Sequence, residues 1–160
     1  MQLRFRRLTL LCSAALVTAC ASTTDNTATP RTAQQIAQQT IIVDTHIDVP
    51  YRLHKDWEDV TVATKRGEFD YPRARQGGLN APFMSIYIPA SYERTGGGYQ
   101  LANQLIDNME ALVGRAPDKF AMAYTTADVE QQFGSAKISL ALCMSSGGIP
   151  AILATCIPKL

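Results

Sequence analysis

Hydrophobic residues in this 160-residue chain come in short bursts between polar stretches, and the spacing within each burst indicates the element it forms. Ala33 to Gln39 (AQQIAQQ) suits a short helix, and Ile41 to Thr45 has the β-branched run of a buried strand. Tyr51 to Gln76 is polar and mixed in charge and contains a Gly and a Pro, which predicts a long connecting loop with at most one short helix. Gly77-Gly78 marks a turn, and Phe83 to Ile88 (FMSIYI) forms a second strand candidate that Pro89 ends. Leu101, Leu105, Met109, Leu112 and Val113 have the spacing of an amphipathic helix over Tyr99 to Val113, with Gly114 and Pro117 as stop signals. Phe120 to Tyr124 is a third strand candidate, Thr125 or Thr126 caps a helix through Phe133, and Ile138 to Leu142 is a fourth strand candidate. Strands alternating with helices predict an α/β fold with a parallel sheet. No internal repeat is visible.

One burst stands apart. Arg4, Arg6 and Arg7 precede the apolar run Leu8 to Val17, which is too short to span a bilayer but suits an export signal, so residues 1–19 are expected to be removed. The run ends in Val17-Thr18-Ala19-Cys20, which resembles the lipobox of bacterial lipoproteins, where the Cys is acylated and becomes the new N-terminus. Several acyl chains on Cys20 would anchor the protein firmly, since one chain alone holds only marginally. The alternative is an ordinary secretory signal with a chance Cys. Ala21 and Ser22 follow, rather than an Asp, a pattern similar to outer-membrane sorting, so the expected location is the cell envelope, on the periplasmic face of the outer membrane. Residues 20–32 hold the lipidated Cys and a Ser/Thr/Asn-rich stretch that cannot bury a core, a flexible tether.

Composition adds little: 46% of residues are hydrophobic and 18% charged, as in ordinary globular proteins. Without the three export arginines, 12 basic residues face 14 acidic ones. A nearly neutral chain without Lys/Arg blocks gives no electrostatic reason to expect a nucleic-acid partner.

Candidate chemistry begins where the first strand ends. Residues i and i+2 of a strand point to the same side, so His46 and Asp48 converge if the extended backbone continues past Thr45. Imidazole nitrogen and carboxylate oxygen both suit a divalent ion such as Zn2+. The spacing alone fits equally a His paired with a surface Asp for structural reasons. The wider stretch "VDTHIDVPYRL", Val43 to Leu53, resembles the opening segment of the membrane (renal) dipeptidase family of zinc peptidases, in which an Asp-x-His-x-Asp-x-Pro run leads the first barrel strand into the metal site. "ARQGGLNAPFMSIYIP", Ala74 to Pro89, resembles that family's second diagnostic stretch, and the resemblance runs from about Ile36 to Leu142.

The resemblance implies an α/β fold that is the N-terminal part of a (β/α)8 TIM-type barrel. It also implies a two-zinc site with His46 and Asp48 as the ligands from the first strand, and hydrolysis of dipeptides by metal-activated water. Asp44 is then either a partner that orients a ligand or a strand-end residue that binds backbone amides. His54 matches no ligand position and is expected in a loop. Asp56, Glu58 and Asp59, beside Trp57, are expected to form a solvated loop face, and Gly96-Gly97-Gly98 lacks a phosphate-loop context and is expected to be a flexible loop.

After Leu142 the chain departs from the family's pattern. Ser145 stands where a metal-bridging Glu is expected, and no charged residue lies between Lys137 and Lys159. The expected organisation is thus a partial barrel over residues 33–142 followed by an aberrant tail over 143–160, explained by a frameshift near codon 143. Two alternatives are a natural short protein with a Cys143–Cys156 disulfide, and membrane insertion of Ile138 to Pro158. A (β/α)8 barrel takes about 250 residues, so this one is too short to close. Its unpaired edges favour a homo-oligomer over a stable monomer. With one ligand pair of a two-metal site, the chain as it stands is expected to be an inactive form of a metallodipeptidase. The rival is a non-catalytic envelope lipoprotein acting as a binding or structural module.

Overall fold

The computed structural model describes residues 30–146. The export segment, Cys20, most of the tether and the tail from residue 147 onward, including Cys156, therefore lie outside the described residues. Within the described residues, 31–146 form one compact unit. It contains four parallel strands, β1 (Ile42–Ile47), β2 (Leu79–Ile88), β3 (Phe120–Met122) and β4 (Ile138–Ser146), in the order β1-β2-β4-β3. Six helices connect or flank them: α1 (Ala33–Gln39), α2 (Val49–Lys55), α3 (Tyr71–Gly77), α4 (Ser91–Thr95), α5 (Gly98–Arg115) and α6 (Thr126–Gln132).

The alternation of parallel strand and helix is that of a (β/α) barrel wall, and the described residues supply four strands where a closed barrel has eight. The core lies between the sheet and the helices. Leu101, Leu105, Ile106, Met109 and Leu112 form the inner stripe of α5 and pack with Met84, Ile86, Ile138 and Leu140 of the sheet. Phe120 is fully buried and takes the edge of Tyr71 at 5.6 Å between ring centres.

Residues 51–76 differ most from expectation: instead of a loop with at most one short helix, they contain most of α2 and nearly all of α3. Both helices open with an Asp at the cap position and a Pro in the first turn (Asp48/Pro50 and Asp70/Pro72), but only Asp70 caps through its side chain, accepting the Arg73 amide. Pro lacks an amide where a helix has no use for one, so here it starts helices rather than breaking them. Gly78 ends α3 in the left-handed conformation at φ 85°. A β-carbon there would lie 2.6 Å from the Ala37 carbonyl oxygen, because α1 packs directly on this turn. The side-chain amides of Gln34 and Gln38 donate to the Gln76 carbonyl (2.8 and 3.2 Å), and that of Gln38 also reaches the Arg75 carbonyl (3.1 Å). The bonds to Gln76 satisfy a carbonyl at the end of α3, and the Arg75 carbonyl also accepts the Gly78 amide at 3.2 Å.

Three smaller differences have simple causes. The second strand begins at Leu79, ahead of Phe83, because Leu79, Ala81 and Pro82 already pair with β1. Gly114 does not stop α5; it is exposed and the helix runs on to Arg115, leaving Ala116 and Pro117 to end it. The fourth strand continues past Leu142 through Cys143 to Ser146, with Cys143 buried and paired with Ser85. The first residues of the expected tail therefore belong to the sheet. Among the described residues no helix is long and apolar enough to cross a membrane.

Candidate functional site

β1 delivers the candidate ligands. Strand geometry runs through His46 to Ile47, and Asp48 then turns into the first residue flanking α2, with φ −86° and ψ 30°. His46 Nε2 lies 3.3 Å from Asp48 Oδ1, and the two side chains are 51% and 61% exposed. Imidazole and carboxylate thus face one point at the C-terminal end of the strand, the end where (β/α) barrels carry their chemistry. Asp44 accepts a hydrogen bond from the His46 backbone amide at 3.0 Å.

The donor set suits a divalent ion, which takes imidazole nitrogen and carboxylate oxygen together. A hydrolytic zinc site uses three protein ligands, however, and among the described residues no group of three or more His, Cys, Asp or Glu gathers in one place. The pair fits as two ligands of a centre and does not make one by itself. His54 does not complete it. It sits in the last turn of α2 rather than in a loop, stacked on Tyr51 with ring centres 6.2 Å apart. Tyr51 meets Tyr87 edge-on at 5.3 Å, and Tyr87 pairs in register with Ser145. The strand end thus carries an aromatic wall that pattern reading missed; its signal was Tyr51 shortly past the end of β1 and Tyr87 one residue before the end of β2.

Beside the pair opens a cleft of about 590 Å³ lined by Asp44, Asp48, Arg52, Phe69, Arg73 and Ala74, among others. The loop from residue 56 to 70 forms part of its wall, and its carboxylates are anchored individually. Asp56 pairs with Arg66, and Asp59 accepts the Thr61 amide at 3.0 Å, which holds its carboxyl below the ordinary range. Glu58 departs from the expected solvated face: its side chain is 17% exposed and bonded to Arg52 at 3.1 Å and to the Lys65 amide at 3.0 Å. Burial pushes its carboxyl up, but the Arg52 guanidinium and the backbone amides outweigh burial and hold it low.

Asp70, fully buried, organises the rest of that loop. It accepts the Thr64 amide (2.9 Å), the Thr64 hydroxyl (3.2 Å), the Arg73 amide (2.9 Å) and Arg73 Nε (2.7 Å). Burial raises its carboxyl, and these four donors more than reverse the shift. Sequence reading passed over this residue, although the Asp-x-Pro-Arg order of a capped helix start was its signal.

Known proteins of similar sequence and fold share this architecture. The family model described as membrane dipeptidase (peptidase family M19) matches residues 30–151. A curated relative, dipeptidase ataJ of Aspergillus terreus, is 29% identical over 119 residues, which cover 67% of this chain and 29% of that protein. Among solved structures, dipeptidase AC, a metallopeptidase of family M19, matches with a TM-score of 0.56 at 22% identity, over 66% of this chain and 35% of its own. A metallopeptidase from Rhodobacter sphaeroides, liganded with a phosphinate mimic of the dipeptide L-Ala-D-Ala, matches with a TM-score of 0.56 at 20% identity (66% and 38%). The probable dipeptidase PvdM of Pseudomonas aeruginosa matches with a TM-score of 0.58 at 17% identity (68% and 29%). At such identities the structures establish the fold alone, and the chain spans about a third of the length of the proteins it matches. With the family model covering most of its length, the chain belongs to the membrane dipeptidase family, peptidase family M19.

Proposed function

We propose that this chain carries the first-strand part of a zinc-dependent dipeptidase centre, with His46 and Asp48 as metal ligands. The observation that supports it is the 3.3 Å convergence of these two side chains at the end of β1 in a chain of this family. Zinc bound there would supply a water activated to hydroxide and a Lewis acid for the scissile carbonyl of a dipeptide. His46 would bind through an imidazole nitrogen. Asp48 would contribute a negative oxygen, and Asp44 holds the His46 backbone between them. Tyr51 and Tyr87 would exclude water from one side of a bound substrate.

The 160-residue chain alone is an inactive form on this reading, because among the described residues one ligand pair is present where a hydrolytic site needs more. That same observation favours the second reading, a non-catalytic envelope lipoprotein serving as a binding or structural module. On either reading Cys20 anchors the protein by lipid at the periplasmic face of the outer membrane, and nucleic acid is not a partner. The open sheet edges make a homo-oligomer the expected assembly.

The test is zinc content and dipeptide hydrolysis of the purified chain and of His46→Ala. Weak zinc binding that His46→Ala abolishes, without turnover, is the expected result. Turnover with two bound zinc ions would disprove inactivity, and zinc binding indifferent to His46→Ala would leave only the module. Sequencing the gene from codon 130 tests the frameshift: another frame should encode a Glu near position 145 and later histidines.

A further inference from the structure

β1 and β2 do not pair in one continuous register. Ile42 faces Leu79, Val43 faces Ala81, Asp44 faces Pro82, and Ile47 faces Met84. Between Ile42 and Val43 the extra residue is Asn80, on β2; between Asp44 and Ile47 it lies on β1. The two irregularities are single-residue bulges on opposite strands, and they cancel: the pairing offset rises from 37 to 38 at Val43 and is 37 again at Ile47. A bulge withdraws an amide from the ladder and turns the following side chain to the other face. At each bulge a side-chain oxygen takes a β1 amide. Asn80 Oδ1 accepts from Ile42 at 2.9 Å, and Asp44 Oδ1 accepts from His46 at 3.0 Å.

The effect is visible in β1 itself. Ile42 and Asp44 are half-buried and Val43 and Thr45 exposed, as strict alternation requires. Alternation then slips by one, so that His46 is exposed and Ile47 packs inward against the core. Without the slip His46 would share the face of Ile42 and Asp44, and Ile47 would turn away from the core. We infer that Asn80 and Asp44 are a pair of positioning residues, holding two compensating bulges that turn His46 toward Asp48. The inference rests on the metal-ligand role proposed for His46 only for its purpose; its geometry can be tested without metal.

Amide hydrogen exchange in the 160-residue chain provides the test, with a Co2+ titration beside it. In Asn80→Ala the His46 amide, 34 positions away in sequence, should exchange about tenfold faster, because losing one bulge unbalances the other. Asn80→Asp, which keeps the Oδ acceptor, should restore protection. Asp44→Ala, at a less buried position, should speed His46 exchange to a similar degree, with Asp44→Asn restoring it. Co2+ affinity should fall about tenfold or more in both alanine variants and recover in the acceptor-keeping ones. If Asn80→Ala or Asp44→Ala folds and leaves His46 exchange at the wild-type rate, the coupled bulges do not position His46. If the wild-type chain binds no Co2+, the dipeptidase-site reading fails, while the exchange result still decides this inference.

Discussion

Asp70 shows how one buried carboxylate sets the shape of a loop. Four donors converge on it, and replacing it with Ala would leave Arg73 Nε and two backbone amides without their acceptor. Asp70→Ala should cost about 3 kcal/mol in urea unfolding. Its pH dependence follows from its lowered pKa. A carboxyl held below its unfolded value stabilises the fold above the ordinary Asp range, near pH 4, and that stability disappears as pH falls through the folded pKa. The urea midpoint should therefore hold steady from about pH 7 to 5 and fall below about pH 4, and Asp70→Asn should flatten part of the fall. Asp128, which accepts the Tyr124 and Thr125 amides at the start of α6, acts in the same direction. At this scale the sequence was legible where side-chain chemistry is distinctive, as in the His46–Asp48 pair. It was silent on Asn80, whose partner is a backbone amide at a register shift that no residue type announces.

Among the elements, the helices that were readable carry their own periodicity. α5 was recognised because its apolar residues repeat along one face, and truncating its centre should be costly: Leu105→Ala is expected to lose about 2–5 kcal/mol. α2 and α3 were not recognised, being seven residues each with a Pro in the first turn. Their helical state comes from packing against β2, and for α3 also from the Asp70 cap, rather than from a repeating pattern. The junction of α3 with β2 yields a pair of substitutions with opposite signs. Gly78→Ala forces a side chain into φ 85° and against the Ala37 carbonyl, which should cost about 1–3 kcal/mol. Gly77→Ala, helical and with nothing within 4 Å of the added carbon, should stabilise by up to about 1 kcal/mol. Chemical denaturation of both variants beside the parent distinguishes the two effects.

For the whole molecule, the parallel α/β class was legible because strands and helices alternate in the sequence itself. The strand order β1-β2-β4-β3 was not, since β3 is three residues long and its place beside β4 depends on a loop, not on a pattern. In the described unit β1 and β3 are edge strands, and Val43 on β1 is 46% exposed. Sedimentation over a hundredfold concentration range should show self-association, and Val43→Lys, which places a charge on that edge, should shift the chain toward monomer. A chain that stays monomeric throughout would count against the proposed homo-oligomer.

The clamp of α1 on the end of α3 has a practical consequence. Gln34 and Gln38 hold α1 beside the turn that precedes β2, and all four strands run the same way, so the polypeptide enters this unit at the face opposite the His46–Asp48 end. A protein immobilised on a sensor chip through residues ahead of Ala33 would present that end to the flowing solution, whereas attachment near Pro89 would turn it toward the chip.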